Sequence, residues 1–336
     1  MTVDEGTGTM TIEELELHAE WRAADVADAA AWTLCLSDAH LAELDAALTH
    51  ARSVADDVLD VTAADFPLPT LTPLLAGFAN ELINGRGFGR IGTLDVDRLG
   101  PEDASWIYWG IGAHLGDPWP QNAKGHLLGD VRDQGKSADD PTARGNEIGG
   151  SPLGFHSDGS DLVGLLSLDA GVSGGESLVA NALWAHNELV RTAPDLAVEL
   201  YAPLPYDFRG EHRPGGAPFY SVPTFTRHGD RLFIRYIRPF IEASQRHDDA
   251  PRITERHFGA PENRVEMLLE PGEMQFVNNY HVLHGRRRYA DDPGAGRVRW
   301  LKRLWLATDL LGPDDRPARY QRAGAMTHWG DRRTRA

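Results

Sequence analysis

The sequence predicts a mainly β protein with flanking helices, built as a double-stranded β-helix of the jelly-roll kind. Short apolar or alternating runs, among them Leu162 to Leu168, Val265 to Leu269 and Met274 to Asn279, are separated by Gly- and Pro-containing turns. Stretches with helical spacing gather mainly near the N-terminus. The chain has 336 residues, 41% of them hydrophobic. That suffices for one large core, because barrels and sandwiches often run long as single domains.

In chain order, residues 1–12 are acidic and Gly/Thr-rich and read as a disordered lead. They lack the basic start and apolar centre of a signal peptide. Ser37 caps a helix whose Leu41, Leu44 and Leu48 form a stripe at helical spacing. A second helix runs from Pro73 to Ile83, with Leu74, Leu75, Phe78 and Leu82 inward, and ends at Asn84-Gly85-Arg86-Gly87. Phe88 to Leu94 reads as a strand and Pro101 to Trp109 as a helix, with Trp106, Trp109 and Trp119 in the core. His126 to Val131 is a strand, and Gln134 to Gly150 is a long polar loop, either a lid or a surface excursion.

Further on, Gly174-Gly175-Glu176 turns into another strand, and Ala182 to Arg191 is a helix. Residues 205–250 form a lid-like insertion containing Arg209, Arg213, Tyr220 and Arg238. Within it, Ser221 to Phe225 and Arg231 to Ile237 read as paired strands joined at His228-Gly229-Asp230. Arg297 to Ala307 is the last strand, and from 312 a polar tail is expected, leaving one jelly-roll domain over 13–311.

Net charge is −17, which argues against nucleic acid and anionic membrane surfaces, since both need a basic patch. No apolar run approaches the ~18 residues of a membrane span. Cys35 is the single cysteine, so no internal disulfide forms. It reads as a buried small residue, and a cytoplasmic location fits. An oligomer is compatible with the sequence.

The chemistry centres on Gly154-Phe155-His156-Ser157-Asp158-Gly159. Residues i and i+2 of a strand face one side, so His156 and Asp158 can offer an imidazole and a carboxylate to one point. Downstream, Asn278-Asn279-Tyr280-His281-Val282-Leu283-His284-Gly285-Arg286 can supply a third ligand, either His281 or His284. Two His and one carboxylate on one face suit non-haem Fe(II) with open positions. On the last strand, alternation places Arg299, Leu301, Arg303 and Trp305 on one face. Both faces mix cations with large apolar groups, so one guanidinium can be drawn inward. It would then need a carboxylate or phosphate, and a dicarboxylate cosubstrate would serve.

Together these motifs resemble the TauD/TfdA family of Fe(II)- and 2-oxoglutarate-dependent oxygenases. The resemblance rests on Gly-Phe-His-Ser-Asp, Gly174-Gly175-Glu176-Ser177, the stretch from Asn279 to Arg286, and Arg-x-Leu-x-Arg-Leu-Trp-Leu. It covers roughly residues 70–310. It implies His156, Asp158 and His284 as iron ligands, and Arg303 as the grip on the far carboxylate of 2-oxoglutarate. Arg299 would be helper or alternative, and Ser177 a hydroxyl donor to that carboxylate. The implied activity uses O2 to convert 2-oxoglutarate to succinate and CO2 while hydroxylating, or desaturating, an unactivated C–H of a small organic molecule. Pro152 departs from the polar residue of some relatives and leaves the orientation of the metal-side carboxylate open. Phe155, Asp161, Asn146, Asn279 and the insertion are candidates for substrate contact. Two other readings are a non-catalytic ligand-binding jelly roll, and a Zn hydrolase using the same triad, which would not need Arg303.

Overall fold

The structure, a computed structural model, describes residues 2–3, 10–17, 19–122, 124–137, 147–212, 215–243 and 258–320. Strand β1 (Thr33–Cys35) leads into helices α1 (Asp38–Val54) and α2 (Thr72–Asn84), strand β2 (Phe88–Gly92) and helix α3 (Val96–Leu115). Short strands β3 (Asp117–Pro118) and β4 (Leu128–Val131) precede β5 (Leu153–His156), β6 (Leu162–Asp169) and β7 (Ser177–Asn181). Helices α4 (Ala182–Thr192) and α5 (Pro194–Glu199) follow, then β8 (Pro203–Asp207), β9 (Phe219–Pro223), β10 (Phe225–His228), β11 (Arg231–Ile234) and α6 (Arg238–Ala243). The chain closes through β12 (Arg264–Met267), β13 (Met274–Asn278), β14 (Val282–Arg286) and β15 (Trp300–Ala307).

Two sheets form the jelly roll. The larger has the order β1-β2-β13-β6-β15-β3, with β4 also paired to β15; the smaller runs β12-β7-β14-β5. All pairings are antiparallel except β1 with β2. The filling between the sheets includes Val163, Leu301 and Trp305 from the larger and Val179 and Val282 from the smaller, all buried. Alternation along each strand supplies this inner layer.

Helices cover the outer face of the larger sheet. Gly112 of α3 lies so close to β15 that an added Cβ would stand 2.6 Å from Leu304. Leu304 and Leu306 therefore pack under α3 while Leu301 and Trp305 face the other sheet. This explains why both faces of the last strand carry large apolar residues. Lys302 and Trp300 meet Asp130 of β4 at the solvent side. Trp106, Trp109 and Trp119 are all core, as expected of the cluster.

Several boundaries differ from expectation. The pairing of β10 with β11 and of β8 with β9 shows that the run Ser221 to Phe225 is divided at Thr224 between two hairpins. The expected disordered lead contains a two-residue ladder, Thr2–Val3 with Met10–Thr11, while residues 4–9 lie outside the described set. The expected tail does not begin at 312: two 3-10 turns, Pro313–Asp315 and Ala318–Tyr320, dock with Arg316 and Tyr320 buried. Cys35 is exposed rather than buried, because the short strand β1 pairs with β2 at the margin of the sheet. Much of the polar loop (138–146, with Asn146), and Arg213 and residues 244–250 of the insertion, lie outside the described residues.

Candidate metal centre

His156 ends β5 and His284 stands directly opposite it on β14. Their ring centroids lie 4.3 Å apart. Asp158 follows in the turn before β6. One ligand atom from each of His156, Asp158 and His284 lies within 4.8 Å of the others. The Nε2 atoms of His156 and His284 stand 3.8 and 3.7 Å from Asp158 carboxylate oxygens. A single ion between them would take two nitrogens and one oxygen. His281, the other histidine of its motif, points away and places Nε2 3.1 Å from the Ala19 carbonyl.

Protonation suits metal binding. Burial pushes His284 down to about 3, with the neighbouring His156 acting in the same direction. Burial also lowers His156. Both rings are neutral near pH 7, as ligation requires, so their contacts with Asp158 are not ion pairs. His156 Nδ1 is 2.9 Å from the Gly154 carbonyl. A carbonyl only accepts, so Nδ1 carries the proton and Nε2 keeps its lone pair for a metal. Burial alone would raise the Asp158 carboxyl, but Arg303, His284, His156 and Arg235 hold it at about 2.

The turn that presents Asp158 is held from several sides. Its amide donates to Asn279 Oδ1 at 3.1 Å, and Asn279 Nδ2 donates to the Ser160 carbonyl at 2.9 Å. Trp305 Nε1 donates to Asp158 Oδ2 at 3.1 Å. Arg303 Nη1 lies 3.8 Å from the same oxygen, and its Nε donates to Gln121 Oε1 at 2.7 Å. Gln121 and Trp305 carried no sequence signal of their own; Asn279 was read as a substrate contact, not as a residue that holds this turn. Only the alternation that put Trp305 on the face of Arg303 hinted at one of them.

The triad opens onto a small cavity of about 60 Å³. Val131, Leu153, Val163 and Leu165 form its apolar wall, and Ser177, Arg286, Arg299 and Arg303 its polar part. Arg286 and Arg299 are both 6% exposed. Their guanidinium carbons lie 4.7 and 5.2 Å from the Tyr289 ring centre. Arg299 is lowered to about 10 by burial and by Arg286, and Arg286 is lowered by burial. Among the described residues, the buried N–H groups Arg286 Nε and Arg299 Nη1 meet no hydrogen-bond partner. Two buried cations with unspent donors make a site for a carboxylate. Ser177 faces the same cavity, with its hydroxyl donating to Gln275 Oε1 at 2.5 Å.

The other sequence candidates take supporting places. Phe155 is packed in the core. Asp161 is fully buried and paired bidentately with Arg316, and it also accepts from Tyr280 and Thr308. Asn279 has no exposed surface and is spent on the metal turn. Asn146 lies outside the described residues.

A jelly roll carrying two His and a carboxylate beside an anion cavity defines an iron- and 2-oxoglutarate-dependent oxygenase. The donor set fits Fe(II), and the unspent guanidinium donors fit a dicarboxylate. The model of the taurine catabolism dioxygenase TauD, TfdA family matches residues 46–305, and the chain belongs to that family. It is 32% identical to an FR-33289 synthase from Streptomyces rubellomurinus over 85% of this chain and 88% of the relative. A taurine hydroxylase-like protein, SAT17, from Stachybotrys chartarum is 25% identical over 83% of this chain and 76% of its own. Among solved structures, an asparagine oxygenase with Fe(II), 2S,3S-3-hydroxyasparagine and succinate superposes with TM-score 0.63. It is 20% identical and covers 84% of this chain and 98% of its own. The non-haem iron oxygenase OrfP with Fe and alpha-ketoglutaric acid gives 0.62 at 18% identity, covering 88% and 98%. Among the described residues no helix is long and apolar enough to cross a membrane.

Proposed function

We propose that His156, Asp158 and His284 hold Fe(II) and that 2-oxoglutarate lies in the adjoining cavity, its far carboxylate on Arg299. Arg286 and Ser177 complete that end. The observation that carries this reading is the triad opening onto a cavity whose buried guanidinium N–H groups lack partners among the described residues. The sequence put Arg303 first for this carboxylate. The geometry favours Arg299, because Arg303 already serves Gln121 and faces Asp158.

Iron with 2-oxoglutarate and O2 supplies an oxidant strong enough for an unactivated C–H, with succinate and CO2 as coproducts. The protein's share is placement. His156 is fixed in the ligating tautomer by Gly154. Asp158 is kept ionised by Arg303 and held by Trp305. Arg299 and Arg286 lose their buried-charge penalty when a carboxylate arrives. Ser177 can turn its O–H toward that carboxylate. Gln275, whose buried Nε2 has no partner among the described residues, then donates to Ser177 Oγ after an amide flip.

The substrate is a small organic molecule, hydroxylated at carbon. The name of one relative, a taurine hydroxylase-like protein, supports that class. We assign the β8–β9 and β10–β11 hairpins as the lid over it. A Zn hydrolase would leave the paired guanidinium cradle without a purpose. The test is succinate formation from 2-oxoglutarate with Fe(II), ascorbate and a panel of small acids and amines. A product one oxygen atom heavier is expected, with loss of both products in Asp158→Ala. Undiminished turnover in that variant would overturn the assignment.

A further inference from the structure

Arg235 follows β11 directly and is 2% exposed. Its Nη1 donates to the carbonyls of Ser157 at 2.6 Å and of Asp158 at 2.8 Å. Its Nη2 and Nε donate to the Tyr220 hydroxyl at 2.6 and 3.2 Å. Beyond the charge attraction of the Asp158 carboxylate, all four bonds of this buried cation go to neutral oxygens from two different elements. One is the metal turn; the other is β9 of the β8–β9 hairpin. Tyr220 is fixed in turn: its ring stacks on Tyr206 at 5.3 Å and 16°, and Tyr206 donates to the Arg235 carbonyl at 2.7 Å. Main-chain bonds tighten the same joint, from Ser157 N to the Tyr236 carbonyl and from Arg235 N to the Thr224 carbonyl.

A guanidinium has five N–H donors in a rigid plane. Here its two ends reach opposite sides: the carbonyls on either side of the Asp158 Cα on one, a hairpin phenol on the other. Lysine offers three donors from one point and cannot hold both. Moving the hairpin moves Tyr220, and with it the plane that sets the Asp158 backbone.

We propose that Arg235 and Tyr220 form a positioning pair that fixes the Asp158 turn for metal binding and ties its geometry to the β8–β9 hairpin. This rests on the metal reading above. Neither residue touches the metal; both act through the carbonyls on either side of the ligand. A lid hairpin joined in this way sets the ligand's position according to its own.

The test is Co(II) titration of the metal-free full-length protein, followed by its visible ligand-field spectrum and by thermal unfolding. Wild type, Arg235→Lys, Tyr220→Phe and Asp158→Ala are compared. Arg235→Lys is expected to weaken Co(II) binding by about 10–100-fold, the usual effect of losing an outer partner of a metal ligand, and to shift the ligand-field bands. Tyr220→Phe removes one oxygen with the fold intact, and is expected to change the same bands with a smaller loss of affinity. Should Arg235→Lys not fold, Tyr220→Phe decides. Wild-type bands and affinity in Tyr220→Phe, or in a folded Arg235→Lys, would overturn the pair even if stability fell. Co(II) binding unaltered by Asp158→Ala would instead overturn the metal site, and the pair with it.

Discussion

Replacing Arg316 by Met should destabilise the protein severely, although residue 316 lies outside the sheets and beyond any catalytic motif. Its guanidinium and the Asp161 carboxylate are 2% and 0% exposed, with Nη1–Oδ1 and Nη2–Oδ2 contacts of 2.8 and 3.1 Å. Arg316 also donates to the Leu311 and Tyr320 carbonyls. Asp161 further accepts from Tyr280 Oη and Thr308 N, both at 2.9 Å. Removing one member leaves the other buried and charged, a loss of about 3–5 kcal/mol. Unfolding entropy of roughly 2.1 cal/mol/K per residue gives about 0.7 kcal/mol/K for 336 residues. The expected fall in Tm is therefore roughly 4–7 °C. Urea unfolding of Arg316→Met, Asp161→Asn and the double variant measures the coupling, because the double variant no longer strands a charge. A single-variant loss below about 1 kcal/mol, with additive effects in the double, would refute this account of the pair.

Three further outcomes follow from the site. Arg299→Met should raise the 2-oxoglutarate Kd of the Co(II)-loaded protein by at least about 30-fold, as expected for truncating a buried charge partner; calorimetry showing equal affinities would contradict the assignment. Trp305→Phe deletes the N–H on Asp158 Oδ2 and should weaken Co(II) binding by about 10-fold or more, which unchanged titration curves would exclude. His284 has a folded value of about 3 against an ordinary 6.5, so its neutral form stabilises the fold above pH 6.5. That contribution is lost as pH falls from there toward 3, because the unfolded chain takes up the proton first. The urea midpoint of the metal-free protein should fall over this window, and less steeply in His284→Gln; parallel slopes would argue against a buried neutral His284.

How much was legible in the sequence follows from what each motif encodes. His156 and Asp158 were readable because strand alternation alone puts them on one side. Choosing His284 over His281 needed the resemblance: the selection is made by strand pairing, which sets His284 against His156, while His281 turns toward Ala19. Arg299 and Arg303 were assigned to one face by simple alternation. A register shift between Trp300 and Leu301 interrupts that alternation, yet both side chains reach the cavity. Which one has donors to spare depends on Gln121, 182 residues away from Arg303. Asp161 was read as a candidate for substrate contact, but its partner comes from a segment whose polar composition suggested a tail. That segment is polar in composition and buried at Arg316 and Tyr320, and local sequence has no way to signal a contact made across 155 residues.

The double duty of β15 has a consequence for how this scaffold tolerates change. Arg303 and Trp305 reach toward Asp158 from one side of the strand, while Leu304 and Leu306 sit beneath α3 on the other. A methyl group added at Gly112 would meet Leu304, and the strand has no free face on which to absorb the shift. Variation in the helix layer is thus transmitted to the metal-binding carboxylate, and in a lineage of such enzymes α3 and β15 should drift together. The β8–β9 hairpin reaches the same turn by a separate route, through Tyr220 and Arg235, so a change there is felt at the carboxylate without passing through β15.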